Sequence, residues 1–437
     1  MRRYLLPLGL AAISIQPVLA QSWPPPSPDE GRPYVAETPP KLIEPASPLS
    51  LAGALDLAFK ANAELSAAAR ELEAVEASVI QAGLLPNPEV ATLIEDTRRE
   101  TRTATLLLNQ PIELGGKRAA RVQAAERARD AAAAELRTKK AEVRAGLISA
   151  FFDVLIAQER VRLAGESAAL ARRATDAAAR RVAAGKVSPV EETKARVAEA
   201  GVRVELTQAS SELRSARSRL AAFWGNPSPR FERVEAEAET LPEAGEFPDL
   251  ERPLQTAPAL RRASLEVERR RALAEVERTR RIPDLTVSLG VKRDEQLGRN
   301  QAVMGVSIPL PLFDRNQGNL AEALSREDKA RDELAATRVR LASEATQAWE
   351  RLQTARAEAQ ALADEVLPGA QSAFEAATKG FELGKFGFLD VLDAQRTLFQ
   401  ARSQHLRALA EAHRARAELD RILGVADGGS AAPQELE

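Results

Sequence analysis

Apolar and polar residues follow two patterns along this chain, one with the spacing of a helix and one with the spacing of a strand. From Arg118 to Ala184 and from Asn319 to Leu383, apolar residues recur at helical spacing, and in the second stretch a heptad-like series includes Leu334, Leu341, Ala345, Ala348 and Leu352. Such spacing places the apolar residues on one face of a helix. We therefore predict two long helices, 118–184 and 319–383, suited to lateral packing. Pro368-Gly369 predicts a kink in the second.

Four short segments alternate with period two instead. They form two predicted strand pairs, at 88–110 and 284–308; within the second pair Ala302, Met304, Val306 and Ile308 alternate with Val303, Gly305 and Ser307. Alternation puts one face of a sheet in an apolar medium and the other in a polar one. A tilted membrane strand of about 9–11 residues and a half-buried soluble hairpin both fit this pattern.

The whole arrangement occurs twice. Each landmark of the first half recurs 197 to 199 residues later: Pro86, Pro111, Gly185 and Gly225 return as Pro283, Pro309, Gly384 and Gly424. A repeat of this size is a structural half rather than a solenoid module. We therefore divide the chain into a first structural repeat, a linker or equatorial segment, a second repeat and a C-terminal tail, at residues 51–225, 226–248, 249–424 and 425–437.

Each repeat also contains two shorter helices. They are predicted at 51–84 and 189–224 in the first repeat, and at 249–281 and 388–423 in the second. At about 1.5 Å per residue, the 118–184 helix is on the order of 100 Å long. Two short helices stacked end to end are as long as one long helix. Neither a single solvated helix nor a loose coiled coil explains this agreement in length. The predicted fold is mainly α with a small β part.

The N-terminus has the layout of a secretory signal peptide. In MRRYLLPLGLAAISIQPVLA two arginines precede an apolar core, and Ala20 ends a small-residue cleavage site. Pro7 and Pro17 interrupt the apolar run, which makes a membrane anchor the weaker interpretation. We expect residues 1–20 to be removed and the Pro-rich segment 21–50 to lie extended.

The amino-acid composition limits the cellular compartment in which this chain works and the molecules that it binds. The chain has no cysteine, which excludes disulfides, thiolate metal sites and N-terminal lipidation. Its 61 basic and 63 acidic residues are interleaved, which argues against a nucleic-acid surface. An exported chain without a long apolar helix is either soluble beyond the inner membrane or enters the outer membrane as strands. Four strands cannot close a membrane barrel, so in the second case the chain must oligomerise.

The sequence contains few features that would indicate an enzyme. His405 and His413 stand eight residues apart without a ligand set at zinc spacing, so they are better interpreted as surface histidines. No phosphate-binding loop, dinucleotide fingerprint or nucleophile elbow occurs in the sequence. We predict no catalytic residues, no cofactor and no resident metal.

The repeat, the strand pairs and the paired helices resemble the TolC family of outer-membrane efflux proteins. QPIELGGKR at 110–118 and SIPLPLFDRNQG at 307–318 are similar to its CzcC-type branch, which serves heavy-metal exporters. The resemblance implies a homotrimer in which each chain contributes four membrane strands to a twelve-stranded β-barrel and its helices to a long α-helical barrel.

The implied function is a passive outer-membrane channel of a tripartite efflux system. Substrates, expected to be divalent heavy-metal cations, would be delivered by an inner-membrane pump of the resistance-nodulation-division (RND) class and a periplasmic adaptor, or membrane fusion protein. A drug-efflux or type I secretion duct of the same family is the alternative. From another class, a soluble periplasmic coiled-coil scaffold or adaptor remains open.

The segment FLDVLDAQRTL at 388–398 is similar to the family's motif at the periplasmic tip. The resemblance implies that Asp390 and Asp393 face the pore, and their spacing puts both on one helix face. They are equally suited to a helix N-terminus, where the macrodipole favours carboxylates. Glu191 and Lys194 are their first-repeat counterparts. Phe381 and Phe386 stand where relatives carry polar residues that hold the tip closed.

The two Gly-Lys turns complete the predicted tip. By resemblance they dock the periplasmic adaptor, with contacts from Gly185, Lys186, Val187 and Ser188 in the first repeat and from Gly384, Lys385 and Gly387 in the second. Ordinary helix caps would use the same glycines, and both roles are compatible.

Overall fold

The computed structural model describes Glu44 and residues 48–235, 241–242, 254–383 and 385–424. The predicted signal peptide, most of the Pro-rich segment, residues 236–240 and 243–248 of the 226–248 linker, and the 425–437 tail lie outside the described residues. Within the described ranges the protein is mainly helical with a small β part, as the sequence predicts.

The first half runs from a short strand to a long helical hairpin. Its elements are β1 (Leu49–Ser50), α1 (Leu51–Ala61), α2 (Ala63–Ala82), β2 (Glu89–Glu95), β3 (Thr103–Ile112), α3 (Lys117–Ala183), α4 (Pro189–Ala222) and β4 (Val234–Glu235). The second half has the elements α5 (Pro258–Thr279), β5 (Leu285–Asp294), β6 (Arg299–Ser307), α6 (Gln317–Ala361), a π-helical turn (Leu362–Val366), α7 (Leu367–Glu382) and α8 (Phe388–Leu423).

In the first half, α2 and α4 meet end to end alongside α3. Asn62 adopts an extended conformation, and its Oδ1 accepts a hydrogen bond from the Leu65 amide, which caps α2. Its side-chain amide donates to the Phe223 carbonyl, 2.9 Å away, at the end of α4. The single helix expected over 51–84 is therefore divided at Asn62, because asparagine is a strong N-cap and here joins two helices at once.

The second half repeats this junction with different residues. Gly424 ends α8 with φ +76°, and a Cβ there would lie 2.7 Å from Pro258 Cδ at the start of α5. Only glycine allows both the left-handed conformation and this close approach. A core of small and branched residues closes the junction against α6: Ala257, Leu260, Leu341, Ala345, Ala348, Leu419 and Ile422.

The predicted kink at Pro368 takes the form of a π-helical turn. Residues Leu362–Val366 form this turn just ahead of the proline, and the helical path continues into α7. Proline cannot donate to the carbonyl four residues earlier and its ring crowds that carbonyl. A wider π turn is a common way for a helix to accommodate such a defect. The first-half helix α3 has no such interruption.

The four longer strands form one antiparallel sheet in the order β2-β3-β5-β6. Val90 lies opposite Leu108, Leu108 opposite Leu289, and Leu289 opposite Met304. The two halves therefore join through β3 and β5. In the described part of the chain, the outer edges of β2 and β6 have no strand partner.

A second, two-stranded sheet pairs β1 with β4 in parallel, beside a buried carboxylate. Glu44 is 5% exposed and accepts hydrogen bonds from Trp224 Nε1 at 2.7 Å, from Asn226 and from the Arg230 amide. These partners are 180 or more residues away along the chain. Glu44 therefore binds the segment that follows α4.

Candidate functional site

One face of the four-stranded sheet is both apolar and exposed. Because paired residues of an antiparallel sheet lie on the same side, the register brings these side chains together. Met304 is 80% exposed. The exposed large side chains on this face are Val90, Ile94, Leu106, Leu108, Ile112, Leu289, Val291, Met304 and Val306. A continuous apolar surface of this kind marks a membrane or protein contact.

The opposite face carries polar groups that bond to one another. Ser288 Oγ donates to Asn109 Oδ1 at 2.7 Å, and Thr103 Oγ1 donates to Glu95 Oε2 at 3.0 Å. Lys292 Nζ lies 3.3 Å from the same Glu95 oxygen. The two faces therefore suit two different media, as the period-two alternation predicts.

At the far end of the helices, the first-half turn is a glycine-capped hairpin. Gly185 has φ +67°, and the amide of Lys186 donates to the Arg181 carbonyl at 2.9 Å. Ser188 caps α4 by accepting from the Val190 amide at 3.3 Å. Lys186 is exposed beyond this cap.

The second-half turn is built around Gly380. Its carbonyl accepts the Lys385 amide at 2.8 Å, and a Cβ on Gly380 would lie 2.1 Å from the Phe386 ring. Phe386 therefore packs directly on the backbone of α7 while half of its side chain stays exposed. Gly384 lies outside the described residues, and so does the side chain of Phe381.

Asp390 and Asp393 lie in the first turns of α8, and both are exposed. Asp390 Oδ2 accepts from the Gly387 amide at 2.8 Å, so Asp390 caps the helix. In the first half Glu191 bonds to Lys194 at 3.0 Å, which balances its charge. The two tips therefore differ, since the second one presents two carboxylates where the first presents an ion pair.

Sequence reasoning missed Gly380. It lies one turn before the predicted Gly-Lys turn, and its role depends on the position of Phe386 after that turn. A small residue inside a helix gives too weak a pattern to indicate such a contact.

No three histidine, aspartate or glutamate side chains in the described ranges are grouped so that they would hold a metal ion. No helix of those ranges is both long enough and apolar enough to cross a bilayer.

Residues 54–226 and 250–425 match the outer membrane efflux protein family, one stretch for each half. The chain belongs to this family. It is an outer-membrane efflux channel protein rather than an enzyme. The family resemblance seen in the helices, strands and turns is thereby confirmed.

Relatives of this efflux protein include metal-resistance proteins. It is 52% identical over 426 residues to the cobalt-zinc-cadmium resistance protein CzcC of Cupriavidus metallidurans, covering 97% of this chain and all of the relative. It is 30% identical over 281 residues to the nickel and cobalt resistance protein CnrC of the same organism, covering 62% and 66%. The predicted similarity to the CzcC-type branch is therefore confirmed.

The fold of this efflux protein also matches solved channels. The CmeC outer membrane channel of Campylobacter jejuni superposes with a TM-score of 0.73 at 16% identity, covering 86% of this chain and 85% of that one. At such low identity the likeness concerns the fold alone.

Proposed function

We propose that this protein is the exit duct of a tripartite heavy-metal efflux system. Three copies form the channel, with the apolar sheet face against outer-membrane lipid and the helices extending into the periplasm. A periplasmic adaptor and an inner-membrane RND pump deliver divalent cations to the duct. Transport through it is passive, since the chain carries no energy-converting motif.

The observation that carries this proposal is the 52% identity to a cobalt-zinc-cadmium resistance protein along nearly the whole of both chains. The sheet supports it physically. An exposed apolar face backed by a bonded polar face is stable where lipid meets one side and water the other. The unpaired edges of β2 and β6 require further copies, because lipid does not tolerate unsatisfied backbone groups.

The export route follows from the N-terminus. The signal peptide at 1–20 directs the chain out of the cytoplasm. The mature chain is not lipidated, because it has no cysteine to accept a lipid.

The periplasmic gate in this proposal consists of the second-half tip. In a trimer Asp390 and Asp393 each contribute a ring of three carboxylates, which attracts cations within a narrow opening. Glu191 adds a charge that Lys194 compensates. Phe386, seated on Gly380, and Phe381 hold the closed state by apolar packing.

The adaptor meets the two hairpin turns in this proposal. Lys186 and Lys385 are exposed and stand beside hydrogen-bonded helix caps. Each turn therefore presents a partner with a hydrogen-bonded backbone and an exposed, charged lysine side chain. The docking residues are those predicted from the sequence: Gly185, Lys186, Val187, Ser188, Gly384, Lys385 and Gly387.

Deletion of the gene tests the proposal directly. We expect tolerance to cobalt, zinc and cadmium to fall and drug tolerance to stay, with recovery on expression of the intact chain. Loss of drug tolerance with unchanged metal tolerance would contradict the metal assignment. Recovery of the protein in the soluble periplasm would contradict the channel itself.

A further inference from the structure

A cavity of about 790 Å³, the junction cavity, lies where the two end-to-end helix junctions flank α3. Asn62, which divides the first-half helix, lines one side of it. Gly424 and Pro258, from the second-half junction, line the other side, and α3 contributes residues between 136 and 145. Both neighbours of α3 are therefore interrupted at the same height, and the cavity opens between the two interruptions.

The junction cavity lies on the side of α3 opposite to the concave face of the helix layer. Helices α2, α3, α5 and α6 together line a second hollow of about 940 Å³, so these four helices curve around one side. From α3 this hollow is lined by Ala131 and Glu135, and the junction cavity by Lys140 and Arg144. Each of the second pair follows one of the first by nine residues. Nine residues are about two and a half helical turns, so the two pairs point in opposite directions.

The position and the lining of the junction cavity do not suit the proposed metal cargo. In the proposed trimer the concave face encloses the duct, so the cavity opens on the outer, periplasmic side of the helices. That position rests on the proposed trimer, whereas the walls of the cavity belong to one chain. Among the described residues that line it, Asp420 is the one carboxylate, and Arg416 Nε lies 2.9 Å from its Oδ1. A divalent cation would therefore meet no free carboxylate there.

Basic side chains dominate the polar part of the lining. Lys60 is bonded to Asp56, and Arg421 is bonded to Glu418, each at 2.7 Å. Both of these carboxylates lie outside the lining. The basic residues that line the cavity are Lys60, Arg137, Lys140, Arg144 and Arg421.

Two of these cations have no acidic partner in the described part of the chain. Lys140 makes no hydrogen bond or ion pair there, and Arg137 Nε donates only to the Ala133 carbonyl of its own helix, at 3.4 Å. The two residues are three apart on α3 and so share a face. Like charges at this spacing repel each other, and an anion bound between them would convert the repulsion into two charge-assisted hydrogen bonds.

Much of the remaining lining is apolar. Leu65 and Ala417 are each 6% exposed, while Phe59 is 45% exposed. Such a wall favours a ligand that buries an apolar body beside its charge. The volume of the cavity is that of sites for drug-sized ligands.

We propose that the junction cavity binds a small organic anion, a molecule that carries a carboxylate, sulfonate or phosphate on an apolar body. Arg137 and Lys140 bind the acidic group, and the apolar side chains of α2 and α8 cover the body. Because α2 and α3 belong to the first half and α8 to the second, the bound ligand holds the two halves together at the level of the junctions.

Binding of naphthalene-2-sulfonate tests the site, because this probe joins one acidic group to an apolar ring system. We expect saturable binding to the full chain in lipid nanodiscs, measured by calorimetry against empty nanodiscs. Naphthalene-2-sulfonamide has a similar shape without the charge, and its affinity should be lower by about tenfold. Inorganic sulfate has the charge without the apolar body and should compete only weakly. Equal affinities for the sulfonate and the sulfonamide would overturn the proposal.

A pair of substitutions in α3 tests the two cations. Arg137→Gln with Lys140→Gln should weaken sulfonate binding by about tenfold or more, because the charge-assisted bonds are lost. The matched control is Arg172→Gln with Arg173→Gln, which removes the same charge from exposed positions of α3 outside the cavity. The control should bind like the wild type. Equal effects of the two double variants would mean unspecific attraction to a basic surface and would contradict the site.

Filling the cavity provides an independent measurement that leaves every charge in place. Ser66 is an exposed residue of the lining. Ser66→Trp should abolish sulfonate binding, and Ser66→Ala should retain it, with circular dichroism showing that both variants keep their helix content. Undiminished binding by folded Ser66→Trp would place the probe elsewhere and refute the assignment.

The alternative occupant is the acidic C-terminal segment, which follows Gly424 directly and carries Asp427, Glu435 and Glu437. If the full chain binds no sulfonate and a chain ending at Gly424 binds it, this segment fills the cavity and the proposal is wrong. Absence of binding by both chains would overturn it as well.

Metal tolerance separates this inference from the proposed function. The Arg137→Gln, Lys140→Gln variant should lose sulfonate binding and keep full tolerance to cobalt, zinc and cadmium, because the cavity lies outside the duct. Failure of the binding experiment leaves the proposed efflux function standing. Unchanged metal tolerance after deletion of the gene would contradict that function without affecting the binding result.

Discussion

At the scale of single residues, Glu44 is a buried carboxylate whose hydrogen-bond partners lie far along the chain. Burial by itself would raise the pKa of Glu44, but hydrogen bonds from the Arg230 amide, Trp224 and Asn226 outweigh it and lower the pKa below its ordinary value of 4.5. The ionised form therefore stabilises the fold. This contribution is complete above about pH 4.5 and is lost as the pH falls through the lower folded-state pKa.

We predict that Glu44→Gln lowers the free energy of unfolding at pH 7 by about 1.5–3 kcal/mol, because charge-assisted hydrogen bonds are lost. The variant should also lose less stability than the wild type on acidification. Thermal denaturation in detergent between pH 3 and pH 7, followed by circular dichroism, measures both effects. Glu232→Gln, an exposed neighbour, should behave like the wild type.

The proposed periplasmic gate also depends on single residues. Asparagine keeps the acceptor with which Asp390 caps α8 but removes its charge. We predict that Asp390→Asn with Asp393→Asn weakens the block of single channels by multivalent cations, because both carboxylate rings are neutralised. Glu191→Gln with Lys194→Gln removes an ion pair without changing net charge, so it should have little effect. An unaltered block in the aspartate variant would refute the pore rings.

At this scale, the distance along the chain between the residues of a feature decides whether the sequence predicts it. Asp390 and Asp393 are three residues apart on a helix, so their common face follows from local geometry. Glu44 and Trp224 are 180 residues apart, and no local pattern joins them.

At the scale of elements, the strands separate two environments. We predict that Met304→Arg, on the exposed apolar face, costs about 2–4 kcal/mol if it lies near the bilayer centre and strongly lowers the amount of protein in the outer membrane. Gln301→Arg lies on the opposite, polar face of the same strand and should be tolerated. Quantitative immunoblots of outer-membrane fractions compare them. Equal tolerance of the two arginines would mean that the apolar face does not meet lipid.

The long helices of the two halves differ in one element, the π-helical turn before Pro368. Its amides are expected to exchange hydrogen about tenfold faster than those of the equivalent stretch 163–169 in uninterrupted α3, because proline removes a bond of the ladder and the π turn bonds less well. Exchange followed by mass spectrometry measures both stretches in one sample. Pro368→Ala should narrow the difference, and equal protection in the wild type would contradict the expectation.

If the second-half tip is the part that opens, this turn is the place where α6 and α7 can bend. The duplicated sequence made the asymmetry visible, because a proline is present in one long helix and absent from the other. The form that the defect takes depends on hydrogen bonding along the helix, which the residue types alone do not specify.

At the scale of the whole molecule, the ion pair between Lys117 and Asp284 joins the two halves. We predict that Asp284→Asn destabilises the protein by about 1.5–3 kcal/mol, because a largely buried ammonium loses its charged partner. Adding Lys117→Gln should restore much of the loss, because no unpaired charge is then left at the contact. Thermal denaturation of the four members of this double-mutant cycle measures the coupling. Additive effects would show that the pair does not couple the halves.

The sequence by itself determined the duplication, the helical and strand periods and the family, because each is encoded in residues close together or in a constant offset. Only the tertiary structure decided which strands join the halves, where Asn62 divides a helix and which side chains surround Glu44. Each of these depends on contacts between residues far apart in the chain, and many such contacts are compatible with one local pattern.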